Sequence, residues 1–208
     1  MRGFESPPGL MILDWHTFLA FCSSAILLGG VFPYAQTIIR GGTRPNPFSL
    51  LGWVLLSIIP AVAQIVEGAG WSVVIPLLSA FNSLIILFVS LKYGKLAPLH
   101  PTDKYAFALG VVAVGAWILT REPLMAIFIS IAAEICIGAP TLAKTYRDPS
   151  TEPVLLWLAY VVACVMGLFA LSTFELHNIA YGIYAALFGL TVTTLASRKY
   201  LKHAKIAS

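Results

Sequence analysis

Glu134 is the only acidic or basic residue in the middle of any long apolar segment of the sequence. It follows the start of the segment 124–146 by about ten residues, and a helix rises about 1.5 Å per residue, so its carboxyl group is expected near the middle of a bilayer. An acidic group at that depth is costly unless it is partnered or hydrated. Glu134 is therefore a candidate for binding a cationic or hydroxylated substrate and for carrying a proton. The alternative is a protonated acid that donates to a backbone carbonyl where two helices meet.

Other polar and aromatic side chains in the apolar segments complete a predicted substrate-binding set. Asn82 lies at a similar depth in the segment 72–91, and the alternative for it is a hydrogen bond between helices. Trp53 and Trp157 lie near segment ends, where an interfacial aromatic belt is the alternative to a gate or a stacking surface. The predicted substrate-binding residues are Asn82, Glu134, Ser79, Gln64, Trp53, Trp157 and Tyr184. Tyr181 is a further candidate.

The composition indicates that lipid covers much of the surface that surrounds these residues. Of the 208 residues, 59% are hydrophobic and 11% are charged, whereas a soluble domain has roughly 25% charged residues. The mean hydropathy is +0.87. The net charge of +4 forms no basic stripe with interleaved stacking residues, so a nucleic-acid partner is not expected. The histidines have no ligand spacing and no catalytic or phosphate-binding motif is present, so the sequence predicts neither a metal, a cofactor nor an enzyme.

Seven apolar segments approach or reach the roughly 20 residues that a membrane-spanning helix needs. They cover about 17–39, 48–66, 72–91, 105–120, 124–146, 153–173 and 178–197. The short fourth segment is included because all of the 13 Lys and Arg residues except Arg2 and Arg121 then lie on one side. Positive residues prefer the cytoplasmic side. The predicted fold class is an all-α membrane protein with seven transmembrane helices, its N-terminus outside and its C-terminus in the cytoplasm.

The first three segments and the last three resemble each other, which indicates an internal repeat. Pro33 matches Pro140 at an offset of 107, Trp53 matches Trp157 at 104, and the third helices match at 106. An odd linker helix makes two such units run in the same direction. The predicted organisation is an outside segment at 1–16, a three-helix unit at 17–94, an inner loop and linker helix at 95–121, a second unit at 122–197 and a basic tail at 198–208. Residues 1–10 are an outside tail or a leader upstream of a start at Met11.

The layout of three helices, one linker and three helices over about residues 17–200 resembles the SWEET and PQ-loop transporters. The sequence Pro33-Tyr34-Ala35-Gln36, followed by a Thr/Pro-rich turn, is similar to a relaxed PQ-loop motif. The resemblance implies that prolines near the inner helix ends act as hinges, and that polar residues of each third helix contact the substrate. The hinge candidates are Pro33, Pro140, Pro47 and Pro153.

Together, the residues and the resemblance predict a transporter that moves a small polar metabolite by alternating access, with or without proton coupling. The metabolite could be a sugar, an amino acid or a vitamin-like compound, and the expected location is the plasma (inner) membrane. The expected partners are this small molecule and the lipid bilayer, and self-association into a homo-oligomer stays open. The alternatives are a seven-helix sensor or scaffold without transport, and a vitamin-precursor carrier of the same helix plan.

Overall fold

The computed structural model describes residues 14–206, apart from 44, 46, 69, 94–103, 106–107, 110, 113–114, 117–118 and 120–121. Residues 1–13, where most of the predicted outside segment lies, are outside the described part. The predicted inner loop and fourth span, at 95–121, also fall largely outside it.

Outside 94–122, the described chain has six helices and two short 3-10 turns, and the described residues within 104–119 are helical as well. The helices are α1 (Trp15–Ile39), α2 (Pro47–Val66), α3 (Val74–Tyr93), α4 (Pro123–Arg147), α5 (Val154–Phe169) and α6 (Leu176–Ile206). The 3-10 turns are Trp71–Val73 before α3 and Pro149–Thr151 before α5. Local chemistry explains several of the boundaries. Proline begins α2 and α4, where its missing N–H group costs no helical hydrogen bond. The turns after α1 and α2 use Gly41 and Gly68 at φ values of 78° and 72°, which glycine adopts without steric cost.

The described helices are compatible with a multi-pass membrane protein. Five segments are long and apolar enough to span a bilayer: Trp15–Ile39, Ser49–Val66, Trp71–Tyr93, Leu124–Arg147 and Leu176–Tyr200. Helix α5 is a shorter apolar helix of 16 residues, and it ends before the predicted boundary at 173. Large apolar side chains point outward from the bundle, with Phe32 70% and Leu155 79% exposed. Such a surface is expected where lipid replaces water as the solvent.

Side-chain contacts at the two ends of the bundle fix the helix directions. At one end, Arg198 Nη1 donates to the Tyr146 carbonyl at 3.3 Å, and Lys199 Nζ donates to the Glu152 carbonyl at 3.3 Å. We call this the basic end; Lys92, Lys144, Arg147, Arg198 and Lys199 lie there.

At the opposite end, which we call the acidic end, Gln64 Nε2 donates to the His177 carbonyl at 3.0 Å, and Ser72 Oγ donates to Asn178 Oδ1 at 3.2 Å. The rings of Phe21 and Trp71 also meet there, with centroids 6.1 Å apart. The turns and helix starts at this end carry Glu67, Glu122 and Glu175. Helices α1, α3, α4 and α6 therefore run from the acidic to the basic end, and α2 and α5 run back.

The six helices close into a ring made of two sets of three. In the N-terminal unit (α1–α3), α3 packs against both α1 and α2; in the C-terminal unit (α4–α6), α6 packs against both α4 and α5. The ring is completed by two seams, α1 against α5 and α2 against α4. Each seam joins the first helix of one unit to the second helix of the other, so the packing has the pattern of a two-fold axis along the bundle.

Near the acidic end, the side chain of Ile75 fills the centre of this ring. It is buried in a cluster with Cys164, Tyr181 and Ala185 from the C-terminal unit. A Cβ atom added at Gly167 would lie 2.7 Å from Ile75 Cδ1 and 3.3 Å from Ser23 Oγ, so helices of both units approach closely there. The ring is therefore filled at this level.

We expect Gly167→Ala to lower the stability of the folded protein by about 1–3 kcal/mol, because the added methyl group overpacks a dense contact. Thermal unfolding of the purified protein in detergent measures the change. Gly29→Ala is the matched control, since a Cβ atom there has no neighbour within 4 Å. Equal unfolding midpoints for the two variants would contradict the close packing of Ile75 against α5.

Candidate functional site

A cavity of about 160 Å³ lies between the two units, on the basic side of Ile75. All six described helices contribute to its wall, and α4 contributes Glu134. The other polar lining residues are Tyr34, Ser57, Ser79, Asn82, Ser83, Tyr160, Tyr181 and Tyr184. The cavity therefore combines a polar middle with apolar walls, as sites for small molecules generally do.

The Glu134 carboxylate is the most constrained polar group of the cavity, with only 3% of the residue exposed. Ser57 Oγ donates to its Oε1 at 3.0 Å, and Tyr181 OH lies 3.1 Å from the same oxygen and 3.4 Å from Oε2. The two hydroxyl oxygens lie 2.8 Å apart. These bonds join α4 to α2 across a seam and to α6 within its own unit. A change in what the carboxylate binds therefore acts directly on the contact between units.

Asn82 on α3 has one satisfied and one unsatisfied polar atom. Its Nδ2 donates to the Leu27 carbonyl on α1 at 2.9 Å, which is the interhelical bond that the sequence left as an alternative. Its buried Oδ1 has no partner among the described residues. Asn82 is therefore positioned by α1 and still offers an acceptor at the cavity wall. Ser79, one turn away, meets Tyr160 OH at 3.4 Å.

Ring contacts connect five aromatic side chains on the walls of the cavity. Phe188 lies at their centre, with ring centroids 6.3 Å from Trp53, 5.9 Å from Trp157 and 6.1 Å from Tyr184. Trp157 in turn meets Tyr160 at 5.9 Å in an edge-on arrangement. We refer to Trp53, Trp157, Tyr160, Tyr184 and Phe188 as the aromatic arc. Tyr184 also contacts the Tyr181 ring at 5.9 Å, so the arc continues to the partner of Glu134.

The structure brings together most of the residues that the sequence proposed as substrate-binding. Six of them line the cavity: Asn82, Glu134, Ser79, Trp53, Trp157 and Tyr184. Gln64 is not among the lining residues. It is buried near the acidic end, where its Nε2 binds the His177 carbonyl.

The four proposed hinge prolines lie in or beside helices that form the seams. Pro33 is inside α1 and Pro140 is inside α4, and both helices continue through them. Pro47 begins α2, and Pro153 directly precedes α5. Because proline has no N–H group, the carbonyls of Gly29 and Cys136 lose their usual helical donors. Both seams therefore contain a helix with an interrupted hydrogen-bond ladder.

Sequence reasoning missed Ser57, Tyr160 and Phe188. Each lies three or four residues from a lining residue on the same helix: Ser57 after Trp53, Tyr160 after Trp157 and Phe188 after Tyr184. Residues at these spacings share a helix face. A search one helical turn beyond each proposed residue, on the same helix face, would have found all three.

At the basic end, a buried carboxylate fixes one member of the aromatic arc. Glu152, 1% exposed, pairs with Lys144 Nζ at 2.7 Å and accepts a hydrogen bond from Trp157 Nε1 at 2.9 Å. Lys199 of α6 donates to its backbone carbonyl. Glu152 therefore links α4, α5 and α6 on the basic side of the cavity, and it fixes the orientation of the Trp157 ring.

In the described ranges, no group of three or more His, Cys, Asp or Glu side chains comes together to hold a metal ion. Comparison of the chain with protein-family models, with curated proteins and with solved structures gave no match. The chemistry of the site therefore rests on the geometry of its own residues.

Replacement of Glu152 should destabilise the C-terminal unit. Glu152→Ala removes the carboxylate that Lys144 and the Trp157 N–H group bind, and a hydrogen bond to a charged group contributes about 1.5–3 kcal/mol. The unfolding midpoint in detergent measures the loss, with Glu67→Ala, at an exposed acid of the opposite end, as the control. In a double-mutant cycle with Lys144→Ala, strictly additive losses would contradict the pairing.

Proposed function

We propose that this protein is a membrane transporter that moves a small polar metabolite by alternating access. In this proposal the cavity is the substrate site, and Glu134, Asn82, Ser79, Trp53, Trp157 and Tyr184 bind the substrate. The protein resides in the plasma (inner) membrane with its basic end in the cytoplasm.

The observation that carries the proposal is the position of the cavity between the two units. A ligand in the cavity touches both units at once, so a relative movement of the units changes its surroundings. The two seams are the surfaces along which such a rocking movement would occur. Ile75 fills the ring on the acidic side of the cavity, and in this proposal that packing would close the acidic side in one of the two states of alternating access.

The proposal includes seven spanning helices in two parallel three-helix units joined by a linker helix. The common direction of α1 and α4 supports it, because successive crossings alternate in direction, and an even number of crossings between these two helices would make them antiparallel. Between them lie α2, α3 and the segment 94–122, and a crossing by that segment places α4 where it is found. The equivalent roles of α3 and α6, each packed against both partners, support the repeat.

We further propose that Glu134 carries a proton during transport. The groups that face it are the hydroxyls of Ser57 on α2 and of Tyr181 and Tyr184 on α6. Because its hydrogen bonds cross the α2–α4 seam, gain or loss of a proton changes the strength of the contact between units. Pro33 and Pro140 would allow the seam helices to bend as that contact changes.

A vitamin-precursor carrier of the same helix plan is a second candidate, and the aromatic arc favours it. Five connected aromatic rings offer a stacking surface for a planar aromatic ring. This candidate shares the cavity, the units and the movement with the first, and differs in the substrate.

Proteoliposome uptake tests the proposed transport and its coupling. We expect the protein to take up at least one compound from a panel of sugars, amino acids and vitamin-like metabolites, and a pH gradient to change the rate. Glu134→Gln keeps nearly the same shape, but its amide neither gains nor loses a proton in this pH range. It should therefore abolish the effect of the gradient. Glu175→Gln, at an exposed acid of the acidic end, is the control. Transport with an unchanged pH response in Glu134→Gln would rule out the proton carrier.

Asn82→Ala should weaken substrate binding at least ten-fold, because it removes the acceptor at the cavity wall. The lost bond to the Leu27 carbonyl should cost only about 1 kcal/mol of stability, the usual scale for such bonds in membranes. Substrate titration and the unfolding midpoint separate the two effects. Ser90→Ala is the control, since that hydroxyl bonds within its own helix at 2.7 Å and is not among the lining residues. A large loss of folded protein with unchanged affinity would make Asn82 a structural residue.

A further inference from the structure

We propose that the cavity binds a small organic cation, whose charge lies at Glu134 and whose apolar body packs against the aromatic arc. The inference rests on the proposed function, because it takes the cavity as the substrate site, and it narrows the class of substrate. Among sugars, amino acids and vitamin-like compounds, it selects those that carry a positive charge and a compact apolar part.

The charges of the cavity wall are the first argument. Among the described residues that line the cavity, Glu134 is the only carboxylate, and none is a lysine, arginine or histidine. The groups bonded to Glu134, Ser57 and Tyr181, are neutral. A buried carboxylate is stable when a cation or a proton neutralises it. Since the protein supplies no cation at the described wall, a ligand can supply it.

The aromatic arc is the second argument. The face of an aromatic ring attracts a cation, and the attraction is stronger where the site is dry. Two tryptophans, the residues with the strongest effect, lie on opposite units, and Phe188 lies between them. A cation with alkyl or ring carbons around its charge can use these faces and the apolar wall together. A strongly hydrated ion would lose more hydration than the rings replace.

The unpartnered acceptor of Asn82 is the third argument. The buried Oδ1 requires a donor, and an N–H or O–H group on the ligand would provide one. Asn82 thus favours a ligand that carries a hydrogen-bond donor as well as its charge. An anionic ligand, or the carboxylate of an amino acid, finds no basic partner at the described wall.

Binding of cations to the purified full-length protein in detergent tests the inference, with calorimetry and tryptophan fluorescence as readouts. The probes are choline and N-methylpyridinium, whose charges do not depend on pH. The matched neutral probe is 3,3-dimethylbutan-1-ol, which has the shape of choline without its charge. We expect at least one cation to bind, and choline to bind at least ten-fold more tightly than the neutral alcohol if choline is that cation. Failure of both cations to bind, or equal affinity for choline and the alcohol, would overturn the proposal.

Two separate substitutions test the site, so the test remains possible if one of the variant proteins does not fold. Glu134→Gln removes the charge and Trp157→Leu removes an aromatic face, and each should weaken cation binding at least ten-fold. Glu175→Gln, whose carboxylate is exposed at the acidic end, should leave it unchanged. Unchanged affinity in a folded Glu134→Gln or Trp157→Leu protein would contradict the assignment.

Uptake of the same probes separates this inference from the transport function. Cation binding that meets these criteria without uptake of any compound would contradict transport and support the cation site. Uptake of a neutral sugar by a protein that binds neither cation would support transport and overturn the cation site.

Discussion

The burial of one carboxylate in an apolar bundle is the constraint on which the rest of the structure depends. Lipid on the outside offers no solvation for Glu134, so the interior has to provide hydrogen-bond donors and space. The donors come from Ser57 on α2 and Tyr181 on α6, and the space is the cavity beside them. The same bonds hold α2 to α4, so the polar group that is hardest to bury also joins the two units.

The two ends of the bundle complement this central site in different ways. Toward the acidic end, Ile75 packs against glycine-bearing helices, and Gln64 on α2 and Ser72 before α3 donate hydrogen bonds to α6 of the other unit. Toward the basic end, Glu152 binds Lys144 and the Trp157 indole through charge and hydrogen bonds. The contacts near the acidic end therefore join the two units, whereas the Glu152 contacts at the basic end hold the C-terminal unit together.

The sequence predicts the apolar helices well because lipid leaves few alternatives to a helix at that length and composition. The helix boundaries at Ile39, Val66 and Arg147 lie within one residue of those expected. Depth along a helix is also predictable, and it identified Glu134 and Asn82. The direction in which a side chain points around the helix depends on the neighbours, which the sequence does not specify. Hence Gln64 was proposed for a cavity that it does not line, and Phe188 was missed at its centre.

The repeat offsets that relate the two units do not relate their chemistry. The offset of 107 pairs Glu134 with Leu27, and the offset of 106 pairs Asn82 with Phe188, while Trp53 and Trp157 are the same residue type. The helices thus pack with two-fold symmetry, whereas the cavity carboxylate of Glu134 lies in the C-terminal unit alone. A molecule in the cavity therefore meets a carboxylate on the C-terminal unit and an amide acceptor on the N-terminal unit. The two-fold frame thus offers an asymmetric ligand one preferred orientation across the bundle axis, where equivalent halves would offer two.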